Sequence, residues 1–279
     1  MNALQAACLG LLQGLSEFLP VSSSGHLILG SAVLGLPAPG LSFSIMVHLG
    51  TALATVVMLW REIGWLLKGV LAPESRGDRG RALGVIWMLV VASVPGALVG
   101  VLGGDFVERA FSSPVVASAG LIITGFVLSL SGLGGRPVRR LRTTSGVRQE
   151  TLSTVTLGRA VGIGVAQAVA ITPGISRSGM TMVTGLMTGL SREDAARFSF
   201  LLALPAVFGG AFLDYRKAAE AGASMYSSTG LVGAAVAFVA GIFALAVVFR
   251  VVRRGELSKF AYYCWAVGGV SLAWFLTRG

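Results

Sequence analysis

Charged residues are scarce in this sequence, and its first sixty positions contain no lysine or arginine. Only 12% of the 279 residues are Asp, Glu, Lys or Arg, whereas a soluble domain has about 25%. Mean hydropathy is correspondingly high, at +0.80. This composition excludes an ordinary soluble protein. We predict an all-α polytopic membrane protein with a single membrane domain over residues 1–279.

Cysteine is rare as well. Cys8 and Cys264 lie far apart in apolar runs and match no metal or redox spacing, so we interpret both as small buried side chains. The net charge of +10 does not indicate a nucleic-acid partner, because the basic residues fall between apolar segments, as in cytoplasmic loops. We also expect no organic cofactor.

The apolar segments predict six transmembrane helices and two pairs of short helices. Pro20 and the serines after it separate the first pair, and Pro173-Gly174 separates the second. Each short segment falls below the roughly 20 residues that a span needs, so we predict two re-entrant pairs. The pairs are 3–19 with 26–36 and 160–176 with 178–190. The predicted spans are 43–60, 82–104, 110–135, 198–213, 231–249 and 260–277. The predicted loops are 61–81, 105–109, 136–159, 214–222 and 250–259.

The two halves of the chain resemble each other, which predicts an internal repeat. We place repeat one at about 1–135, a basic cytoplasmic loop at 136–159 and repeat two at about 160–279. Three spans separate the short pairs, and an odd number inverts the second half relative to the first. With the basic loops in the cytoplasm, the first pair enters from outside. A shift of 154 residues superposes Gly10, Gln13, Ser22, Ser24, Gly25, Gly35 and Leu36 on Gly164, Gln167, Ser176, Ser178, Gly179, Gly189 and Leu190.

The two breaks carry the residue types of a phosphate site. Backbone N–H groups are free at the start of each short helix, where the helix dipole also favours an anion. Serine hydroxyls add donors, glycines admit close approach, and Arg177 offers a planar fork for phosphate oxygens. We predict that substrate is bound by Gln13, Ser22, Ser24, Gly25, Pro173, Gly174, Ser176, Ser178, Gly179 and Thr181.

Glu17, Ser23, His26 and Arg177 are the predicted catalytic residues. A lone carboxylate in an apolar stretch is expensive to bury in lipid, so Glu17 is a functional candidate, as a base or a metal ligand. Gln13 lies one helical turn before Glu17, and their oxygens could hold Mg²⁺ or Ca²⁺. His26 could act as a nucleophile or as an acid/base.

Simpler interpretations of these residues remain open at this point. The serines could be helix caps, and His26 a capped polar group at a helix start. Arg177 could be a structural ion-pair partner of Glu17. We interpret His48, on an apolar span, as structural.

Two stretches resemble the signature motifs of the undecaprenyl-pyrophosphate phosphatases, the bacitracin-resistance family. They are QGLSEFLPVSSSGH at 13–26 and PGISRSGMT at 173–181. The resemblance extends through SFLLALP at 199–205 and the Asp214-Tyr215 pair, over nearly the whole chain. Gln13 departs from the family pattern, since many members have Glu there. The matching functional positions are Glu17, His26, Ser22, Ser23, Ser176, Arg177 and Thr181.

The resemblance implies a multi-pass hydrolase of the bacterial plasma membrane. It would convert undecaprenyl pyrophosphate to undecaprenyl phosphate and inorganic phosphate at a site reached from the outer face. Its role would be recycling the carrier lipid of peptidoglycan synthesis and resisting bacitracin. The nucleophile stays open between His26, Ser23 and water, and a homodimer is a candidate assembly. The alternative is a transporter or flippase for a lipid phosphate or small anion, which inverted repeats also suit.

Overall fold

The computed structural model describes residues 1–36, 40–72, 76–133, 152–220 and 227–278. Within these ranges the chain forms twelve α-helices, joined in two places by short 3₁₀ segments, Leu130–Gly132 and Leu152–Thr154. The α-helices are α1 Ala3–Phe18, α2 Ser23–Val33, α3 Leu41–Met58, α4 Trp60–Leu71, α5 Arg76–Leu102, α6 Gly104–Phe111, α7 Pro114–Ser129, α8 Leu157–Val169, α9 Arg177–Met187, α10 Arg192–Glu220, α11 Ser228–Arg254 and α12 Lys259–Arg278.

In the described part of the chain, five helices are long and apolar enough to cross a membrane, or six units if a bent pair is one span. Five are single helices, namely α5, α7 with its 3₁₀ extension, α10, α11 and α12, and the sixth is the bent pair α3–α4. The helices α1, α2, α8 and α9 have only 16, 11, 13 and 11 residues. These lengths fit two short pairs between the spans, and the predicted all-α polytopic fold is confirmed.

Several predicted loops are wrong because charged residues were taken as helix ends. Residues 61–71 of the predicted loop 61–81 lie in α4, which is bent by 74° from α3. The helix α4 is amphipathic: Leu66 is buried and Lys68 is exposed. An ion pair of 3.1 Å between Glu62 and Arg197 ties α4 to α10. The predicted loop 105–109 lies in α6 in the same way.

The helices of the second half also continue past their apolar ends. Helix α10 extends to Glu220, through most of the predicted loop 214–222. Helix α11 reaches Arg254 and ends at Gly255, which has a φ of 73°, so the predicted loop 250–259 is a short turn. Most of the predicted loop 136–159 lies outside the described residues. Backbone hydrogen bonds continue the helices into polar sequence, so hydropathy marks the membrane boundary rather than the helix end.

The packing of the two halves is reciprocal. Helix α1 packs against α11 and helix α8 packs against α5, while α7 and α12 pack together. Gly10 lies directly on the backbone of Gly233 in α11. Gly164, at the corresponding position of the second half, has Ala92 of α5 within 2.7 Å of the place where a Cβ would be. This exchange of equivalent contacts is what an inverted repeat predicts.

Aromatic packing fixes the end of α1 inside the bundle. Phe200 of α10 lies between Phe18 and Phe249, with ring centroids 5.7 Å from each, in edge-to-face geometry. Phe18 and Phe200 are both almost fully buried. Aromatic pairs in this geometry add about 0.5–1.5 kcal/mol beyond their area. Since Phe18 follows Glu17 directly, this contact also holds Glu17 in place within the bundle.

Candidate active site

The first break runs from the end of α1 at Phe18 to the start of α2 at Ser23. Ser22 is the N-cap of α2, and its Oγ accepts the N–H of Gly25 at 3.3 Å. Its φ of 67° is the one left-handed conformation of a non-glycine residue in the described chain. Such strain is typical of functional sites, where surrounding structure enforces it.

The second break runs from the end of α8 at Val169 to the start of α9 at Arg177. Ser176 is the N-cap of α9 and accepts the N–H of Gly179 at 3.1 Å. Thr124 of α7 holds this break from outside. Its Oγ1 donates to the carbonyl of Gly174 and accepts the N–H of Ser176, both at 2.9 Å. Sequence reasoning missed Thr124, whose only signal is a hydroxyl in an apolar helix.

The two breaks lie against each other through equivalent residues. A Cβ on Gly25 would come within 3.0 Å of Gly174 Cα, and a Cβ on Gly179 within 3.4 Å of Pro20. Gly25 and Pro20 correspond to Gly179 and Gly174 in the repeat. The structure therefore brings the two predicted stretches together, and glycine permits the approach.

Glu17 is the centre of a buried network that spans both breaks. Its Oε2 accepts hydrogen bonds from Gln13 Nε2 at 2.9 Å and from Ser23 Oγ at 2.6 Å. Its Oε1 forms an ion pair with Arg177 Nη2. The alternative reading of Arg177, as a partner of Glu17, therefore describes this structure. A guanidinium has five N–H donors, so pairing with one carboxylate oxygen leaves capacity for a phosphate.

His48 also faces this carboxylate. Its Nε2 lies 3.8 Å from Glu17 Oε2, and its Nδ1 is 2.8 Å from the carbonyl oxygen of Ser44. His48, interpreted from the sequence as structural, therefore also faces the carboxylate at the centre of the site. The sequence did not predict this contact, since His48 lies on a span 31 residues after Glu17.

His26 lies beside this network but is not hydrogen-bonded to Glu17 or Arg177. Its Nδ1 is 2.8 Å from the carbonyl oxygen of Ser22, and its Nε2 is 2.8 Å from the hydroxyl of Tyr263 in α12. The imidazole and phenol rings are stacked, with centroids 5.6 Å apart. Sequence reasoning missed Tyr263, one of two adjacent tyrosines in the last span.

The remaining predicted residues shape the helix starts. The hydroxyl of Ser24 lies 3.3 Å from that of Ser22, and the hydroxyl of Ser178 lies 3.2 Å from that of Ser176. Ser22 and Ser176 are thus helix caps, as the simpler interpretation allowed. Thr181 Oγ1 is 2.8 Å from the Arg177 carbonyl oxygen and 2.6 Å from Ser199 Oγ. Thr181 therefore joins α9 to α10 by a hydrogen bond. The carbonyl of Pro173 packs against Gly120 of α7.

The cation site at Glu17 and Gln13 stays a prediction, and in this structure its carboxylate has other partners. Both oxygens of Glu17 already accept hydrogen bonds, and the positive guanidinium of Arg177 is adjacent. Gln13 Oε1 is buried without a partner in the described chain, but the amide turns its nitrogen toward Glu17. The described residues contain no group of three or more His, Cys, Asp or Glu placed to hold a metal. The proposed catalytic steps assign no role to a metal ion.

Comparison with known proteins identifies the family of this chain. The family model described as Bacitracin resistance protein BacA matches residues 6–270. A protein of Salinibacter ruber named undecaprenyl-diphosphatase is 41% identical, with 98% of each chain covered. Proteins of the same name from Desulforapulum autotrophicum and Moorella thermoacetica are each 39% identical, covering 98% and 100% of both chains. By these matches over nearly its full length, the chain belongs to the bacitracin resistance protein BacA family.

Proposed function

We propose that this protein is an undecaprenyl-diphosphatase, a membrane hydrolase that removes the terminal phosphate of undecaprenyl pyrophosphate. One observation carries the proposal: a base candidate from the first break and a guanidinium from the second meet in a buried pair. Family membership and the names of the relatives support the same activity. The products are undecaprenyl phosphate and inorganic phosphate, and the reaction recycles the carrier lipid of the cell wall.

The pyrophosphate binds where the starts of α2 and α9 converge. Both helix N-termini favour an anion there. Arg177 is part-exposed, with 22% of its side chain accessible, so phosphate oxygens can compete with Glu17 for its donors. Binding thus transfers Arg177 from the carboxylate to the substrate, which frees Glu17 to accept a proton. The isoprenoid tail stays in the lipid against the spans.

Ser23 is the nucleophile that the geometry favours. Its Oγ lies 2.6 Å from Glu17 Oε2, the nucleophile–base spacing expected for an activated hydroxyl. Ser23 Oγ forms a bond to the terminal phosphorus and gives its proton to Glu17, while the bridging P–O bond breaks and undecaprenyl phosphate leaves. The departing undecaprenyl phosphate takes this proton, so Glu17 is ionised again. Glu17 then accepts a proton from water as the water oxygen bonds to phosphorus and the phosphoserine P–O bond breaks, and it passes that proton to Ser23 Oγ as inorganic phosphate leaves. Arg177 and the helix N-termini stabilise the developing charge, the main task in phosphoryl transfer.

The location of the protein is part of the same proposal. The apolar helices make it a multi-pass membrane protein. We place it in the bacterial inner membrane with the site open to the outer face, because basic segments favour the cytoplasmic side. We also propose a homodimer as its assembly.

Phosphate release from undecaprenyl pyrophosphate by the purified protein in detergent tests the activity. A hydrolase releases phosphate without a second compartment, whereas a transporter or flippase releases none. Trapping a labelled phosphate on Ser23 supports the serine route, and turnover with an unchanged rate in Ser23→Ala contradicts it. Loss of release with a chelator, restored by Mg²⁺ or Ca²⁺, would return a divalent cation to the mechanism.

A further inference from the structure

The tautomer of His26 is fixed by the backbone. A carbonyl oxygen only accepts hydrogen bonds, so the 2.8 Å contact between Nδ1 and the Ser22 carbonyl requires a proton on Nδ1. The other nitrogen, Nε2, is therefore the one that can hold a lone pair or exchange a proton. It is also the nitrogen that faces α12.

The hydroxyl of Tyr263 is hydrogen-bonded to this second nitrogen, Nε2. A phenol both donates and accepts hydrogen bonds, so it can pair with Nε2 whether the imidazole is neutral or protonated. The rings lie within 7° of parallel, so α12 fixes the plane of the imidazole as well as its contact. His26 is buried and Tyr263 is half-exposed, so the tyrosine lies between His26 and the outside of the bundle.

We infer that Tyr263 is a positioning residue for His26 in the hydrolysis reaction. This inference rests on the proposed function, in which the start of α2 carries Ser23 and binds the pyrophosphate. The Ser22 carbonyl sets the Nδ1–H tautomer, and Tyr263 keeps the Nε2 lone pair engaged and the imidazole in place. His26 thus holds the carbonyl of Ser22, next to Ser23, while Ser23 carries the nucleophilic step. The final helix of the chain thereby becomes part of the active site.

The substitution Tyr263→Phe tests the inference, because it keeps the stacked ring and removes only the hydroxyl. We expect kcat to fall about tenfold, the effect of one hydrogen bond, with KM changed less than twofold. The chain has only two histidines, so ¹⁵N-histidine NMR in detergent reports on two imidazoles. The signal missing in His26→Gln identifies His26. In Tyr263→Phe its Nε2 resonance should shift toward that of a free lone pair.

Tyr262→Phe is the matched control, because Tyr262 is adjacent, exposed and packed on Trp265 rather than on His26. It should change neither kcat nor the His26 signals. An unshifted His26 resonance in Tyr263→Phe overturns the inference, even if kcat falls, because the loss would then be structural. A shifted resonance with unchanged kcat overturns it as well. Wild-type protein without phosphate release would contradict the proposed function instead, and the NMR result would still stand.

Discussion

The two helix breaks of this protein have matching backbones and different chemistry. Each begins its second helix with a capping serine whose hydroxyl accepts the N–H three residues on. Each second helix is followed by a glycine with positive φ, 65° at Gly35 and 88° at Gly189. The two breaks therefore share the same capping pattern, a serine at the start of the second helix and a glycine after its end.

The side chains that carry chemistry do not repeat. Ile171 and Met180 stand in the second half where Glu17 and His26 stand in the first, and Arg177 stands where the first half has Ser23. In the proposed mechanism, one half supplies the base and the nucleophile, while the other supplies the guanidinium. The two halves thus share a backbone arrangement, and the proposed catalysis depends on side chains in which they differ.

The side-chain contacts that hold the two breaks from α7 and α12 also differ in strength. Thr124 makes two hydrogen bonds of 2.9 Å to the second break. In the first break, the carbonyl of Pro20, which corresponds to that of Gly174, has one contact of 3.9 Å from Cys264 Sγ of α12. A thiol is a weak donor, so Cys264 holds the first break more weakly than Thr124 holds the second.

Removing the cation should have the largest effect on activity. We expect Arg177→Ala to lower phosphate release at least 100-fold, since one aligned donor is worth about 3–4 kcal/mol in the transition state. Arg159→Ala is the control: Arg159 is in the same half but bonds only backbone carbonyls of Thr154 and Thr188. Near-normal turnover in Arg177→Ala would make the arginine structural and the divergence between the halves irrelevant to catalysis.

Substituting the glycine at the second break should have the next largest effect. Gly174 has a φ of 86°, and a Cβ there would collide with the carbonyl oxygen of Ala117. We expect Gly174→Ala to lower the free energy of unfolding by roughly 3 kcal/mol, from left-handed strain plus overpacking. Gly100→Ala is a control in open space and should cost nothing. Thermal unfolding in detergent measures both, and equal stability of the two variants would contradict the packing of the breaks.

Removing the hydrogen-bonding groups of Thr124 and Cys264 should have smaller and unequal effects on the free energy of unfolding. Thr124→Val leaves a buried N–H and a buried carbonyl without partners, so we expect a loss of about 2 kcal/mol in unfolding free energy. Cys264→Ala should cost no more than about 1 kcal/mol, because the thiol bond is weak. The same unfolding measurement compares them. A larger loss of unfolding free energy in Cys264→Ala than in Thr124→Val would contradict this comparison of the two breaks.

The sequence predicted the two breaks, and left the ion pair of Arg177 with Glu17 as an alternative, for physical reasons that are local. Glu17 is the one acid in sixty apolar residues, and Pro, Gly and Ser runs interrupt helices wherever they occur. The contacts of Thr124, Tyr263 and His48 depend on which helices pack together, which no spacing along the chain reveals. The missed helices α4 and α6 have amphipathic sequences, in which charge marks a polar face rather than a loop.

A double-mutant cycle on phosphate release tests most directly whether the two halves form one catalytic unit. It compares Glu17→Gln, Arg177→Gln and the double variant with the unmodified protein. Because the paired residues act together, the double variant should lose about as much activity as the worse single variant. If the two losses instead multiply, the acid and the guanidinium work independently, and the ion pair between the breaks is not the centre of the site.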